Sequence, residues 1–154
     1  MIRCALHLFY PNDYFMKEIE TKIEGYWPLS RCGVLPEYSG VYFVYTGWYT
    51  LLKERLHLGK LIYIGESEDV RERICGHEKL DDWKKHLENS YMTLYFAVCP
   101  VDTMDRKRVE AAYIYHHKPI VNTEYKNHFP FPITRIISTG EAFGLDTDFV
   151  AKKE

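Results

Sequence analysis

Apolar and polar positions along the chain fall into short blocks whose period switches between two and about four, and those blocks predict the elements. Arg3–Tyr10 alternates loosely and predicts a short strand closed by the turn residues Pro11-Asn12-Asp13. Phe15, Ile19 and Ile23 recur every fourth residue between charges, which predicts an amphipathic helix over Tyr14–Ile23 stopped at Gly25. Tyr26–Ser39, with Pro28, Gly33 and Pro36, reads as a connecting loop. Val41–Tyr45 and Leu61–Ile64 are dense in β-branched and aromatic residues and predict two strands that pair antiparallel. Thr46–Lys60 then projects from their turn end, with one helical turn at Leu51–Leu56.

The following segment predicts a helix. Ser67 offers an N-cap, and Glu68 and Asp69 occupy the first turn, where the helix dipole favours negative charge. Val70, Ile74 and His77 make an inward stripe, with Arg73 beside it one turn before His77. Asp81-Asp82 predicts the cap of a short helix through Trp83 and Leu87. Tyr91–Val98 reads as a third strand ended by Pro100. Asp102-Thr103 opens a helix to about Lys118, stopped by Pro119, with Val109, Ala112, Tyr113 and His116 inward. Ile133–Ser138 predicts a late strand, and Ala151–Glu154 a frayed polar end.

At 154 residues this is one α+β domain, organised as an N-terminal extension (1–39), a central module (40–124) and a C-terminal extension (125–154). The net charge of −2 excludes a global basic excess, so a nucleic-acid role needs a local positive surface or a metal ion. Cys4, Cys32, Cys75 and Cys99 form no C-x-x-C pair, and no signal peptide or membrane-length apolar run is visible. The expectation is a cytoplasmic protein with reduced thiols. His116-His117 and Cys75-x-His77 lack a full ligand set, so neither is read as a metal site.

The chemistry sits on these elements in a fixed order. Gly40-Val41-Tyr42 opens the first central strand and Tyr63-Ile64-Gly65 closes the second. Arg73 follows Tyr63 by ten residues, His77 lies one turn on, Glu110 is on the later helix, and Asn122 comes twelve residues after Glu110, beyond Pro119. Singly, the tyrosines read as strand aromatics, Arg73 and His77 as a solvated helix edge, Glu110 as a partner of Arg106, and Asn122 as a turn residue. As an ordered set they resemble the GIY-YIG nucleases, a group of homing, restriction and excision-repair endonucleases.

The resemblance implies a small three-stranded antiparallel sheet flanked by helices, and hydrolysis of phosphodiesters in DNA with one Mg²⁺ or Mn²⁺ ion. It implies Tyr42 as base or water-positioning group, Tyr63 as its support, Arg73 and His77 as catalytic, and Glu110 as the metal ligand. Gly40, Gly65 and Asn122 become positioning residues. DNA is the implied partner, with RNA, a partner protein or a second copy as further candidates. The alternative is an inactive module of the same fold that binds nucleic acid or protein. Two departures stand out: a long link between the tripeptides, and Glu66 directly after the second in an acid-rich stretch. Within that link and the extensions, Trp48, Lys53, Arg55 and Arg135 are candidate substrate contacts.

Overall fold

Strands, more than helices, organise the chain. A computed structural model describes residues 16–154. The strand and turn expected over Arg3–Asp13 lie outside the described residues. In chain order come β1 (Lys17–Pro28), a 3₁₀ segment (Leu29–Val34), β2 (Gly40–Thr50), a 3₁₀ turn (Leu51–Lys53) and β3 (Arg55–Ser67). Then follow α1 (Val70–Cys75), α2 (Leu80–Lys84), β4 (Thr93–Pro100), α3 (Arg106–His117), β5 (Thr134–Gly140) and β6 (Asp148–Ala151).

All six strands of the described residues join one sheet in the order β3-β2-β4-β1-β5-β6. Every pairing is antiparallel except β1 with β5. The fold is therefore α+β, but its sheet has six strands rather than three. The excess comes from the ends of the chain. Of the segment expected to be a helix over Tyr14–Ile23, the part from Lys17 is strand β1, with Thr21 and Ile23 buried and Ile19 partly so, while Tyr14 and Phe15 lie outside the described residues. A spacing of four is also two strand periods, and the intervening Thr21 completes the alternation. The expected loop over Tyr26–Ser39 begins as the end of β1 and continues as the 3₁₀ segment. The expected frayed end begins too early, because Ala151 is buried in β6.

β2 explains the centre. Val41 to Tyr45 are all essentially buried, because this strand is covered on both faces. One face, with Phe43, Tyr45 and Ile64, packs against α3 and the β5–β6 pair; the other, with Tyr42, Val44 and Tyr63, packs against α1, α2 and Leu35. Thr46–Lys60 is not a loop with a helical turn over Leu51–Leu56. It continues both strands as one hairpin, Thr50 opposite Arg55, closed by the 3₁₀ turn. α3 rests on the terminal strands: the Tyr113 hydroxyl lies 2.8 Å from Thr21 Oγ1 on β1 and 2.6 Å from Ser138 Oγ on β5. Arg108 Nε donates to Thr134 Oγ1 at 2.7 Å, fixing the first turn of the same helix.

Helix ends also differ from expectation. Asp69, not Ser67, caps α1, accepting from the Glu72 backbone N–H at 3.1 Å, while Ser67 Oγ accepts from Asp69 N–H. His77 is buried but follows the helix, past Gly76. Lys79 occupies the cap of α2, and Asp81 and Asp82 its first turn. α3 begins at Arg106, several residues after Asp102-Thr103, and His116 is exposed rather than inward. Cys32 and Cys75 form a disulfide with Cα atoms 5.6 Å apart, joining the 3₁₀ segment to α1. This corrects the expectation of reduced thiols: a separation of 43 residues leaves no spacing signal. Cys99 is free and buried. Among the described residues no helix is long and apolar enough to cross a membrane.

Candidate active site

β3 is the outer strand at one end of the sheet, and the candidate residues gather where α1 and α3 approach it. Tyr42 on β2 and Gly65 on β3 are cross-strand partners. The Tyr42 ring lies over Gly65 so closely that a Cβ there would overlap a ring carbon and the hydroxyl. Gly40 is tight for another reason: its Cβ would strike the Cys99 carbonyl of β4. Both glycines thus let the backbone and an aromatic ring approach more closely than any side chain allows.

Behind the cavity the Tyr42 hydroxyl sits 2.8 Å from His77 Nε2. The tautomer follows from the other nitrogen. Lys79 N–H donates to His77 Nδ1 at 3.0 Å, so the neutral ring carries its proton on Nε2 and donates to the Tyr42 oxygen. Burial, then the charges of Arg73 and Lys79, hold the imidazole down at about 4, so it is neutral near neutral pH. Trp83 packs on it, with ring centroids 4.2 Å apart. Burial pushes the Tyr42 phenol well above its usual range, Tyr63 adding to the rise and Arg73 opposing it. Tyr63 is raised for the same first reason, with the Glu110 charge next.

In front lies a cavity of about 290 Å³ lined by Tyr63, Arg73, Lys79, Glu110, Asn122 and Glu124, among others. Arg73, Glu78 and Lys79 come from α1 and the turn after it, Glu110 from α3, and Asn122 and Glu124 from the segment beyond Pro119. Asn122 fastens that segment to β3: its amide donates to the Ile64 carbonyl at 2.8 Å and accepts the Ile64 N–H at 3.0 Å. Glu110 forms no ion pair among the described residues. Burial raises its carboxyl to about 8, the charges of Glu66 and Glu124 adding to the shift. Arg106, its expected partner, instead bonds Glu66 and the Ser39 hydroxyl. That contact compensates the acid after the second tripeptide. Arg73 is engaged by Glu78 through two hydrogen bonds, 2.6 and 2.8 Å, which hold the Glu78 carboxyl down at about 2.

With this geometry in view, similarity to known proteins adds one relative. Over 126 residues the chain is 23% identical to the UvrABC system protein C of Dictyoglomus thermophilum. The match covers 81% of this chain and 18% of that protein, so the chain spans less than a fifth of its relative. No family model matches, and no solved structure does.

The remaining candidates divide. Trp48 stacks on His57 with centroids 5.0 Å apart and meets Tyr91 edge-on. Lys53 and Arg55 sit at the hairpin tip beside Leu51 and Leu52, which are 82% and 98% exposed. Arg135 lies across the sheet on β5, paired with Asp148 and Glu18, and does not join this site. Sequence reading missed Glu78, Lys79 and Glu124. The only signal was adjacency, two of them directly after His77 and one two residues after Asn122.

Proposed function

We propose that the chain is a metal-dependent endonuclease that hydrolyses phosphodiester bonds in DNA. One observation supports this most: a single cavity carries Arg73 and Lys79 from one side and the carboxyls of Glu110 and Glu124 from the other. A phosphodiester needs cations for its own charge, and a dication needs hard oxygen donors. Similarity to a UvrABC system protein points the same way. The donor set fits Mg²⁺ or Mn²⁺: Glu110 forms no ion pair among the described residues and its carboxyl is destabilised as a free anion, so a dication relieves it. Glu110 would hold the ion, with Glu124 beside it. When bound, such an ion supplies Lewis-acid charge to a phosphate oxygen and acidifies a water.

The chain's own residues do the rest. Arg73 exchanges Glu78 for a phosphate oxygen, a forked donor suited to either. Tyr63 faces the cavity and orients the attacking water, whereas Tyr42 is sealed behind it. The water therefore belongs to Tyr63 rather than Tyr42, reversing the division expected from the motif order. Tyr42 fixes Tyr63 from behind, and the Nε2–H of His77 orients the Tyr42 oxygen. Gly40 and Gly65 keep the tyrosine pair in register, and Asn122 holds the cavity wall to β3.

The Lys53–Arg55 tip meets DNA at a distance. Nine residues separate Tyr42 from Leu51, about 30 Å along an extended strand. That span equals about nine base pairs. Plasmid nicking with Mg²⁺ by wild type and by Glu110→Ala tests the proposal. Cleavage by wild type alone is expected. Equal cleavage by both removes Glu110 from the chemistry, and binding without cleavage by wild type favours a non-catalytic module.

A further inference from the structure

The C-terminal end of α3, away from the cavity, carries two adjacent histidines that meet an aspartate from the loop between β5 and β6. His116 Nε2 lies 2.6 Å from Asp146 Oδ2. His117 Nδ1 lies 3.0 Å from the Tyr113 carbonyl, to which it donates, so its Nε2 keeps the lone pair. That lone pair accepts the Asp146 backbone N–H at 2.9 Å. One ligand atom from each of the three residues lies within 4.8 Å of the other two. The His116 ring also stacks on Phe149, centroids 4.3 Å apart and planes 17° from parallel.

Both imidazoles are therefore oriented before any ligand arrives, one by stacking and one by its backbone bond. Donation of Nδ1–H to a carbonyl is the arrangement that fixes a histidine as a metal ligand through Nε2. We propose that His116, His117 and Asp146 form a binding site for one transition-metal dication of the Zn²⁺ class. Two imidazoles and one carboxylate are a borderline donor set that Zn²⁺ accepts in tetrahedral geometry, with a water as fourth ligand. Mg²⁺, which takes oxygen ligands in octahedral geometry, is not served by it. Binding replaces the Asp146 N–H on His117 Nε2 with the metal and ties the β5–β6 loop to α3. The His-His pair alone offered no third donor; the fold brings one from 29 residues away.

The site stands apart from the nuclease reading. Six residues separate Glu110 from His116, about 9 Å along the helix axis. The test uses the tag-free full chain, stripped with EDTA and titrated calorimetrically with Zn²⁺. In an excess of Mg²⁺ that occupies the Glu110 cavity, wild type is expected to bind one equivalent of Zn²⁺. His116→Ala and Asp146→Asn, both at exposed positions, are expected to weaken binding by at least about tenfold. Glu110→Gln is expected to bind as wild type does. Absence of binding to wild type overturns the proposal, as does unchanged affinity in His116→Ala and Asp146→Asn. Loss of binding in Glu110→Gln alone would place the ion in the cavity and also overturn it.

Discussion

Replacing Glu110 by Gln removes a titration from the candidate cavity while keeping the side chain's shape, and the consequence can be worked out before any cleavage is measured. Burial, with Glu66 and Glu124 behind it, holds this carboxyl up at about 8 in the folded chain. The unfolded chain releases the same proton near the ordinary carboxylate value. Between the two values the folded state binds the extra proton, so stability is fully present at the acid end and falls as pH rises toward 8. Each pH unit in that window removes at most about 1.4 kcal/mol, or about 2 kcal/mol between about pH 5.5 and pH 7. Counting the partial solvent contact of Glu110, about 1 kcal/mol of that remains. Urea unfolding in EDTA at several pH values measures it. The difference between wild type and Glu110→Gln isolates the carboxyl from His77, whose depressed value slopes the opposite way below about 6.5. Wild type is expected to lose ground to the variant as pH rises. Mg²⁺ is expected to restore wild type above about pH 8 and to leave the variant unmoved. Two stability curves that run parallel from acid to alkali would refute the electrostatic account of Glu110.

Three other outcomes follow from named contacts. Glu78→Gln releases Arg73 from an exposed bidentate pair worth about 0.2–1 kcal/mol, so DNA affinity by fluorescence anisotropy is expected to rise by up to about fivefold. Gly65→Ala drives a methyl into the Tyr42 ring, and chemical denaturation is expected to show a loss of about 1–3 kcal/mol together with lost cleavage. Lys53→Ala with Arg55→Ala is expected to flatten the logarithmic salt dependence of DNA binding by about 2 while leaving the stability unchanged.

Much of the centre was legible because its signals are local. β2, β3 and β4 are β-branched and aromatic runs, and α3 stops where Pro119 says it should. The Ile133–Ser138 strand was legible too and is β5, but β1 was not, because it is stabilised by partners on both sides that no local pattern reveals: β4 on one edge and β5, more than a hundred residues on, at the other. Its four-residue spacing fitted a helix equally well until Thr21 found Tyr113 and Ser138. The same blindness applies to the site. Tyr42, Tyr63 and Arg73 are readable from their order, but which tyrosine faces water depends on how a ring lies across Gly65. The engagement of Arg73 by Glu78 and of Glu66 by Arg106 depends on side-chain reach, which sequence distance does not encode.

β1 has a further consequence. Among the described residues it is the only strand paired with both the β3-β2-β4 group and the β5-β6 group. A fragment trimmed to the motif-bearing residues 40–124 would lose it, baring the β4 edge and its apolar neighbours Tyr95, Phe96 and Val98. The same cut would remove Thr21 and Ser138 from beneath Tyr113, three residues from Glu110 on the same helix. The region that carries the recognisable motif is thus not a portable cassette. The helix that carries Glu110 is seated by the two stretches that look most like accessories, so a graft of this site onto another protein would have to bring β1 and β5 with it.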